Sequence, residues 1–198
     1  MDNAGGVALA LSLAKYFAEK PPLRTFMFVF FSGEELGLRG SRAFVDQHQK
    51  ELDNIKLVVN LDVHGCVFGG INSIVTGDER LRHYIEALVD ELGARMSVNE
   101  GVMSSDGTSL ARAGVPVVNF ARGGCGINIH TSLDISDYTH KIAFLVLGKL
   151  IVEFLERIGN AERLPFERRI PENLKKKVEK YFAERLGFDL TNNKRHNL

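Results

Sequence analysis

Short apolar runs alternate along this chain with segments that carry a helical pattern, and this alternation constrains the fold more than any other feature. The apolar runs lie at 25–31, 55–61, 71–76 and 115–120. The helical segments between and around them lie at 3–20, 41–52, 80–92, 108–113 and 135–158. Apolar strands that alternate with helices are typical of a parallel sheet covered on both faces. The sequence therefore predicts an α/β domain, a three-layer sandwich with a mainly parallel central sheet and helices on both faces.

Composition excludes several classes of protein. The 198 residues suit one globular domain, and their 44% apolar and 25% charged shares are ordinary for a folded chain. Lys plus Arg and Asp plus Glu number 25 each, so charge favours neither nucleic acid nor an acidic membrane as a partner. No apolar run reaches the roughly 18–20 residues of a membrane span. Cys66 and Cys125 are the only cysteines, and their spacing fits two thiols as well as one bridge.

The character of the sequence changes near Gly159, where charged residues begin to dominate. We predict a core domain over residues 1–158 and a charged, helical C-terminal appendage over 159–198. One amphipathic helix is indicated at 172–186. We expect this appendage to pack on the core, with the basic stretch LKKKVEK on a solvated helix face.

Two adjacent glutamates follow the first apolar run, in the segment Ser32-Gly33-Glu34-Glu35. One interpretation is a Ser-x-x-Glu capping box, in which Ser32 and Glu35 satisfy free N–H groups at the start of a helix. The other is that both carboxylates lie at the end of a strand and take part in chemistry. In a parallel sheet, ligands bind at the carboxyl ends of the strands.

Further polar residues occupy equivalent positions along the chain. Asp62 follows the second run, His130 lies beyond the fourth, and Asp2 opens the first helix. Each has a structural interpretation, as a turn residue, a helix cap or a buried histidine. Together, however, four carboxylates at one edge of a sheet would repel unless a cation or a proton neutralised them. Asp, Glu and His are also the ligands of a divalent metal, so the pattern favours a metal site.

Five segments in this order resemble the zinc-dependent exopeptidases related to secreted bacterial leucyl aminopeptidases. The segments are DNAGG, FSGEELGLRGSRAFV, NLDVHG, SSDGTSLARAGVPVV and HTSLD. Glutamate carboxypeptidase II and glutaminyl cyclase are more distant relatives on the same core. The resemblance covers about residues 2–158. It implies a zinc-dependent aminopeptidase that hydrolyses N-terminal residues of peptides with a metal-activated water.

The resemblance also implies a role for individual residues. The implied metal ligands are Asp2, Glu35, Asp62 and His130. Asp2 would bridge two zinc ions, and Glu34 would be the general base. Asp106 matches an acidic position near the substrate pocket, although the histidine that often follows it is Gly107 here. His64 and His140 are predicted to take no part.

The family pattern includes a His-x-Asp block upstream of the bridging aspartate, and only one residue precedes Asp2 here. The resemblance therefore implies an N-terminally truncated chain. Two Zn²⁺ ions bind in the intact family, but one is expected here, with weak or no peptidase activity. Exposed sheet edges would then favour self-association. Two alternatives stay open: a single-zinc acyl transferase like glutaminyl cyclase, and a non-catalytic domain of the same fold.

Overall fold

A computed structural model describes residues 1–124 and 128–188 of the chain. Within these ranges the chain forms six α-helices and four β-strands. In chain order they are α1 (Ala4–Glu19), α2 (Arg39–Gln47), β1 (Val58–Leu61), β2 (Ile71–Thr76), α3 (Glu79–Glu91), β3 (Met96–Glu100), α4 (Gly107–Arg112), β4 (Val117–Arg122), α5 (Lys141–Asn160) and α6 (Glu172–Leu186).

The four strands form one open sheet in the order β1-β4-β2-β3. β1 pairs with β4 in parallel and β2 pairs with β3 in parallel, whereas the central pair β2 and β4 is antiparallel. The prediction of a mainly parallel sheet is therefore confirmed. Leu61 pairs with Phe120, so the ends of β1 and β4 lie side by side. The chain leaves both strands at one edge of the sheet, toward Asp62 and toward the turn that carries His130.

Helices cover both faces of the sheet, and each face has its own apolar core. On one face, α1, α3 and α5 pack around Phe120 and Phe154, which are fully buried. On the other face, α2, α4 and α6 pack around Val117 and Phe182. Val117 and Val118 are neighbours on β4 and belong to opposite cores, as the alternation of side chains along a strand requires. The three-layer prediction is thus confirmed.

The structure differs from the sequence prediction at the first apolar run. Residues 25–31 pair with no strand of the described sheet. Phe26 and Phe28 pack on the core beside α1, but Met27 and Phe30 are 63% and 48% exposed. The run is apolar on both sides, yet neither side is fully covered, since Phe31 packs on the second core while Phe30 is exposed. Continuous apolarity predicted burial on two faces, and it carries no information about whether ladder hydrogen bonds form.

The edge strands and the helices each relate to a possible partner of the chain, the first to a second copy and the second to a membrane. β1 and β3 are the edge strands of the described sheet, and association of copies through such edges stays a prediction. In the described ranges, no helix is both long and apolar enough to cross a membrane.

The C-terminal segment packs on the core through α6, whose bounds match the predicted helix. Leu174, Val178 and Phe182 are buried against α4 and the loop before α2. The buried face explains why a helix this rich in charge folds onto the domain: its apolar stripe recurs every four residues. A domain boundary at residue 158 stays a prediction.

Phe182 gives a test of this packing. Its ring lies 5.4 Å from that of Phe188, and the guanidinium of Arg112 lies over it at 4.4 Å. The Phe182→Ala variant is expected to lower the free energy of unfolding by about 3–5 kcal/mol, because it leaves a cavity between α6 and α4. Denaturant unfolding measures the change. Phe68→Ala is the control, since Phe68 is 79% exposed, and an equal loss in both variants would contradict the packing.

Candidate metal centre

The start of α1 places Asp2 beside the end of β1. Asn3 caps the helix: its Oδ1 accepts the N–H of Gly6 at 3.0 Å, so Asp2 is not needed as the cap. The helix also packs directly on the backbone after β1, because a Cβ at Gly5 would lie only 2.1 Å from the carbonyl oxygen of His64. Only glycine allows this approach. The Asp2 side chain is 14% exposed and free to act as a ligand.

The capping-box interpretation of Ser32 and Glu35 is wrong. Helix α2 begins at Arg39, and residues 33–38 form a tight turn ahead of it. The N–H of Leu38 donates to the carbonyl of Glu34 at 2.8 Å, and the N–H of Gly40 donates to the carbonyl of Ser32 at 3.0 Å. The backbone of the turn is satisfied by other backbone groups. Both glutamate side chains are therefore available for the site.

His130 lies in a turn beyond β4. The N–H of Thr131 donates to the carbonyl of Asn128 at 3.2 Å, and His130 itself adopts a left-handed conformation with φ 61°. Its ring is 63% exposed, so it is neither a buried histidine nor the cap of a regular helix. The turn projects the imidazole toward the N-terminus of α1 and the glutamate turn.

Asp2, Glu35 and His130 converge at one point. The Nε2 atom of His130 lies 3.2 Å from Oδ2 of Asp2 and 3.2 Å from Oε1 of Glu35. The three ligand atoms all lie within 4.8 Å of one another. A single N–H on the ring can donate well to only one of the two oxygens, whereas a cation between the three atoms would satisfy all of them.

The donor set fits zinc. Zinc accepts imidazole nitrogen and carboxylate oxygen at about 2.0–2.2 Å, and donors around a tetrahedral ion at that distance sit roughly 3.4 Å apart. The 3.2 Å separations found here are close to that spacing. Three protein ligands with one open position are also the usual arrangement of a catalytic zinc site.

Two further carboxyl groups lie against this cluster and titrate abnormally. The pKa of Glu34 is raised to about 7, first by burial and then by the charges of Asp62, Glu35, Asp106 and Asp2. The pKa of Asp62 is raised to about 6, again first by burial and then by the charges of Asp2 and Asp106. Crowded carboxylates thus hold protons near neutral pH. A bound cation would relieve the same repulsion.

Asp106 lies at the start of α4, on the inner side of the site. Burial raises the pKa of its carboxyl group, although the nearby Ser41 hydroxyl opposes the rise. Its Oδ1 atom is buried and has no hydrogen-bond partner among the described residues. An acceptor left in this state is available to a ligand.

Backbone strain is concentrated around the cluster. In the described ranges, the non-glycine residues with a left-handed backbone are Leu38, Val63 and His130. Leu38 ends the glutamate turn, Val63 follows Asp62, and His130 is itself a member of the cluster. A β-branched residue such as Val63 rarely adopts this conformation. Strain of this kind collects at functional sites, where the surrounding structure enforces it.

The structure separates the remaining candidates. Asp62 is 8% exposed and lies beside the three-atom cluster rather than in it. His140 caps α5, where its Nδ1 accepts the N–H of Ile142, and His64 is buried with a pKa lowered to about 4, first by burial. Neither histidine joins the cluster. Cys66 is buried, and Cys125 lies outside the described residues.

Sequence reasoning missed two residues that fix the ligands in place. The side chain of Asn3 donates to the carbonyl of Leu61 at 2.8 Å and accepts the N–H of Val63 at 3.3 Å. Asp134 accepts the backbone N–H of Asp2 at 2.8 Å. Asn3 follows Asp2 in the DNAGG motif, and Asp134 lies four residues after His130 in the HTSLD motif. The available signal in the sequence was therefore their proximity to a predicted ligand.

Comparison with known proteins identifies the family of the chain. The model of Peptidase family M28 matches residues 1–155, which is most of the chain. The chain belongs to peptidase family M28. The matched range contains every candidate site residue.

Similar proteins match this M28 chain over different shares of its length. It is 26% identical to "Aminopeptidase YwaD" of Bacillus subtilis over 195 residues, covering 92% of this chain and 42% of that protein. Among solved structures, BSAP, a zinc aminopeptidase from Bacillus subtilis, is similar with a TM-score of 0.70 at 24% identity, over 88% of this chain and 45% of that one. A glutaminyl cyclase from an Acidobacteriales bacterium is similar with a TM-score of 0.60 at 17% identity, over 77% and 59%.

These structural likenesses show the fold. The M28 chain spans less than half the length of the curated relatives it matches. The expectation that an N-terminal segment is missing stays a prediction.

Proposed function

We propose that this chain binds one zinc ion through Asp2, Glu35 and His130 and acts as an aminopeptidase on peptides. The observation that carries the proposal is the convergence of these three ligand atoms within 4.8 Å, with the raised pKa of Glu34 beside them. Membership of peptidase family M28 supports peptide hydrolysis, and a zinc aminopeptidase shares the fold.

Glu34 is the proposed general base. It is half-buried next to the cluster but is not one of its three ligands. A carboxylate in this position can accept a proton from the attacking water and return it to the leaving amine. When bound, zinc supplies a Lewis acid that polarises the scissile carbonyl.

Asp62 and Asp106 complete the proposal. Asp62 with Asp2 offers two carboxylates for a second zinc, without the histidine that the first site has in His130. We therefore expect at most one tightly bound zinc per chain and weak turnover.

Asp106, with its unpaired buried oxygen, is proposed to bind the substrate, and a carboxylate there suits the N-terminal ammonium group of a peptide. The likeness to glutaminyl cyclase extends to the fold alone.

The decisive experiment is a count of zinc per chain. Elemental mass spectrometry on protein purified without chelator is expected to give about one zinc for the wild type. His130→Ala is expected to lose it, because two carboxylates alone bind zinc weakly. His83→Ala is the matched control, since His83 is exposed on α3 outside the cluster. No zinc in the wild type, or full zinc in His130→Ala, would overturn the proposal.

A further inference from the structure

The turn that carries His130 also carries a second carboxylate, and it reaches the backbone of Asp2. Oδ2 of Asp134 accepts the N–H of Asp2 at 2.8 Å, and Oδ1 accepts from the nitrogen of Met1 at 2.6 Å. The Asp134 side chain is only 10% exposed. One carboxylate therefore holds two successive nitrogens of the segment that bears a proposed zinc ligand.

Asp134 is held rigidly with respect to His130. The N–H of Asp134 donates to the carbonyl of Thr131 at 3.1 Å, and the hydroxyl of Thr131 accepts the N–H of Leu133 at 3.1 Å. The same hydroxyl donates to the carbonyl of Asn128 at 2.6 Å. These bonds make residues 128–134 one compact unit, so the position of Asp134 and the position of the imidazole are fixed together.

The two segments thus meet twice. Their ligand atoms meet where Nε2 of His130 approaches Oδ2 of Asp2 at 3.2 Å, and their backbones meet through Asp134. The second contact holds the backbone of Asp2 in a region where other carboxylates would repel its side chain. On its other side, Asn3 binds Leu61 and Val63 around Asp62. Residues 2 and 3 are therefore fixed from two directions.

We propose that Asp134 is a positioning residue that holds Asp2 in ligand geometry relative to His130. It does not touch the proposed ion itself and acts through the backbone of Asp2. Hydrogen-bond partners of metal ligands commonly set metal affinity in this way. The inference rests on the proposed zinc site and extends it beyond the ligands.

The test is zinc affinity of the full chain with and without the carboxylate. Asp134→Asn keeps the size of the side chain but replaces one of the two acceptor oxygens with an NH₂ group. That NH₂ group would face one of the two backbone nitrogens that now donate to the carboxylate. Competition with a chromophoric zinc chelator is expected to show zinc binding weakened by about 10–100-fold. Asp137→Asn is the matched control: it removes the same charge from an exposed side chain in the following turn and is expected to change the affinity less than about twofold.

Thermal unfolding separates positioning from general stability. A merely structural role would lower the melting temperature equally with zinc and with chelator. A positioning role shrinks the increase in melting temperature that zinc produces, because this increase follows the zinc affinity of the folded chain. If Asp134→Asn does not fold, Asp134→Glu is the second variant; it keeps the charge, displaces the carboxylate by one methylene and is expected to weaken zinc binding at least severalfold.

Each outcome has a distinct meaning. Unchanged zinc affinity in the folded Asp134 variant overturns this inference and leaves the proposed function intact. A wild-type chain that binds no zinc overturns the proposed function and the inference with it. Weakened binding in the Asp134 variant, with normal binding in Asp137→Asn, supports both.

Discussion

The Glu34→Gln variant is expected to keep its zinc and to lose turnover by about 10²–10⁴-fold. Glutamine has nearly the same size as glutamate but cannot accept a proton from water or return it to an amine. Zinc content is expected to stay constant because Glu34 is not among the three ligand atoms of the cluster. Hydrolysis of a panel of aminoacyl p-nitroanilides gives kcat and KM, and elemental mass spectrometry gives the zinc content of the same samples.

Two control variants make this result specific. Glu35→Gln is expected to lose zinc as well as activity, since its Oε1 lies 3.2 Å from Nε2 of His130. Glu51→Gln changes an exposed glutamate after α2 and is expected to change neither. Unaltered kcat in Glu34→Gln would exclude Glu34 as the base. Loss of zinc in Glu34→Gln would instead assign Glu34 to the ligands. A binding domain without catalysis would show the same function in wild type and Glu34→Gln.

Sequence pattern predicted the fold well where side-chain burial and hydrogen bonding go together. The strand at 71–76 and the helix at 172–186 match the structure residue for residue. The prediction of a strand at 25–31 failed because contact with an apolar core and pairing in a sheet are separate conditions, and apolarity reports only the first. Strand β3 was not predicted from the sequence. Met96–Glu100 pairs with β2, but its apolar and polar residues alternate over too few positions to indicate a strand.

The candidate site was predicted in identity but not in arrangement. Strand-end positions pointed to Glu34, Glu35, Asp62 and His130, and the opening of the first helix pointed to Asp2. The motifs then implied the role of each residue. Sequence could not show that the imidazole faces Asp2 and Glu35 while Asp62 lies beside them, because that depends on the left-handed backbone at His130. Contacts made through the backbone, such as that of Asp134 with Asp2, leave no mark in the pattern of residue types.

The same crowding that fits a cation predicts that the metal-free chain is destabilised by its own site. The Asp62 carboxyl group is 8% exposed, and its pKa rises from 3.8 to about 6, first through burial and then through the charges of Asp2 and Asp106. The folded chain therefore keeps this proton up to about pH 6, whereas the unfolded chain releases it near pH 3.8. Because the folded state binds more protons in that interval, this group makes stability fall as pH rises through it.

Asp62→Asn is accordingly expected to stabilise the metal-free chain at pH 8 by roughly 2–3 kcal/mol and to leave it nearly unchanged near pH 4. The neutral amide keeps the shape of the side chain but carries no charge to bury. Melting temperatures in chelator across this pH range measure the difference from wild type, which cancels the opposing titration of His64. Asp53→Asn is the control, because the Asp53 side chain is 93% exposed and its removal should give a flat difference. If Asp62→Asn stabilises the chain equally at pH 4 and pH 8, the effect comes from packing and not from charge. If Asp62→Asn is destabilised, the carboxylate already has a compensating partner in the metal-free fold.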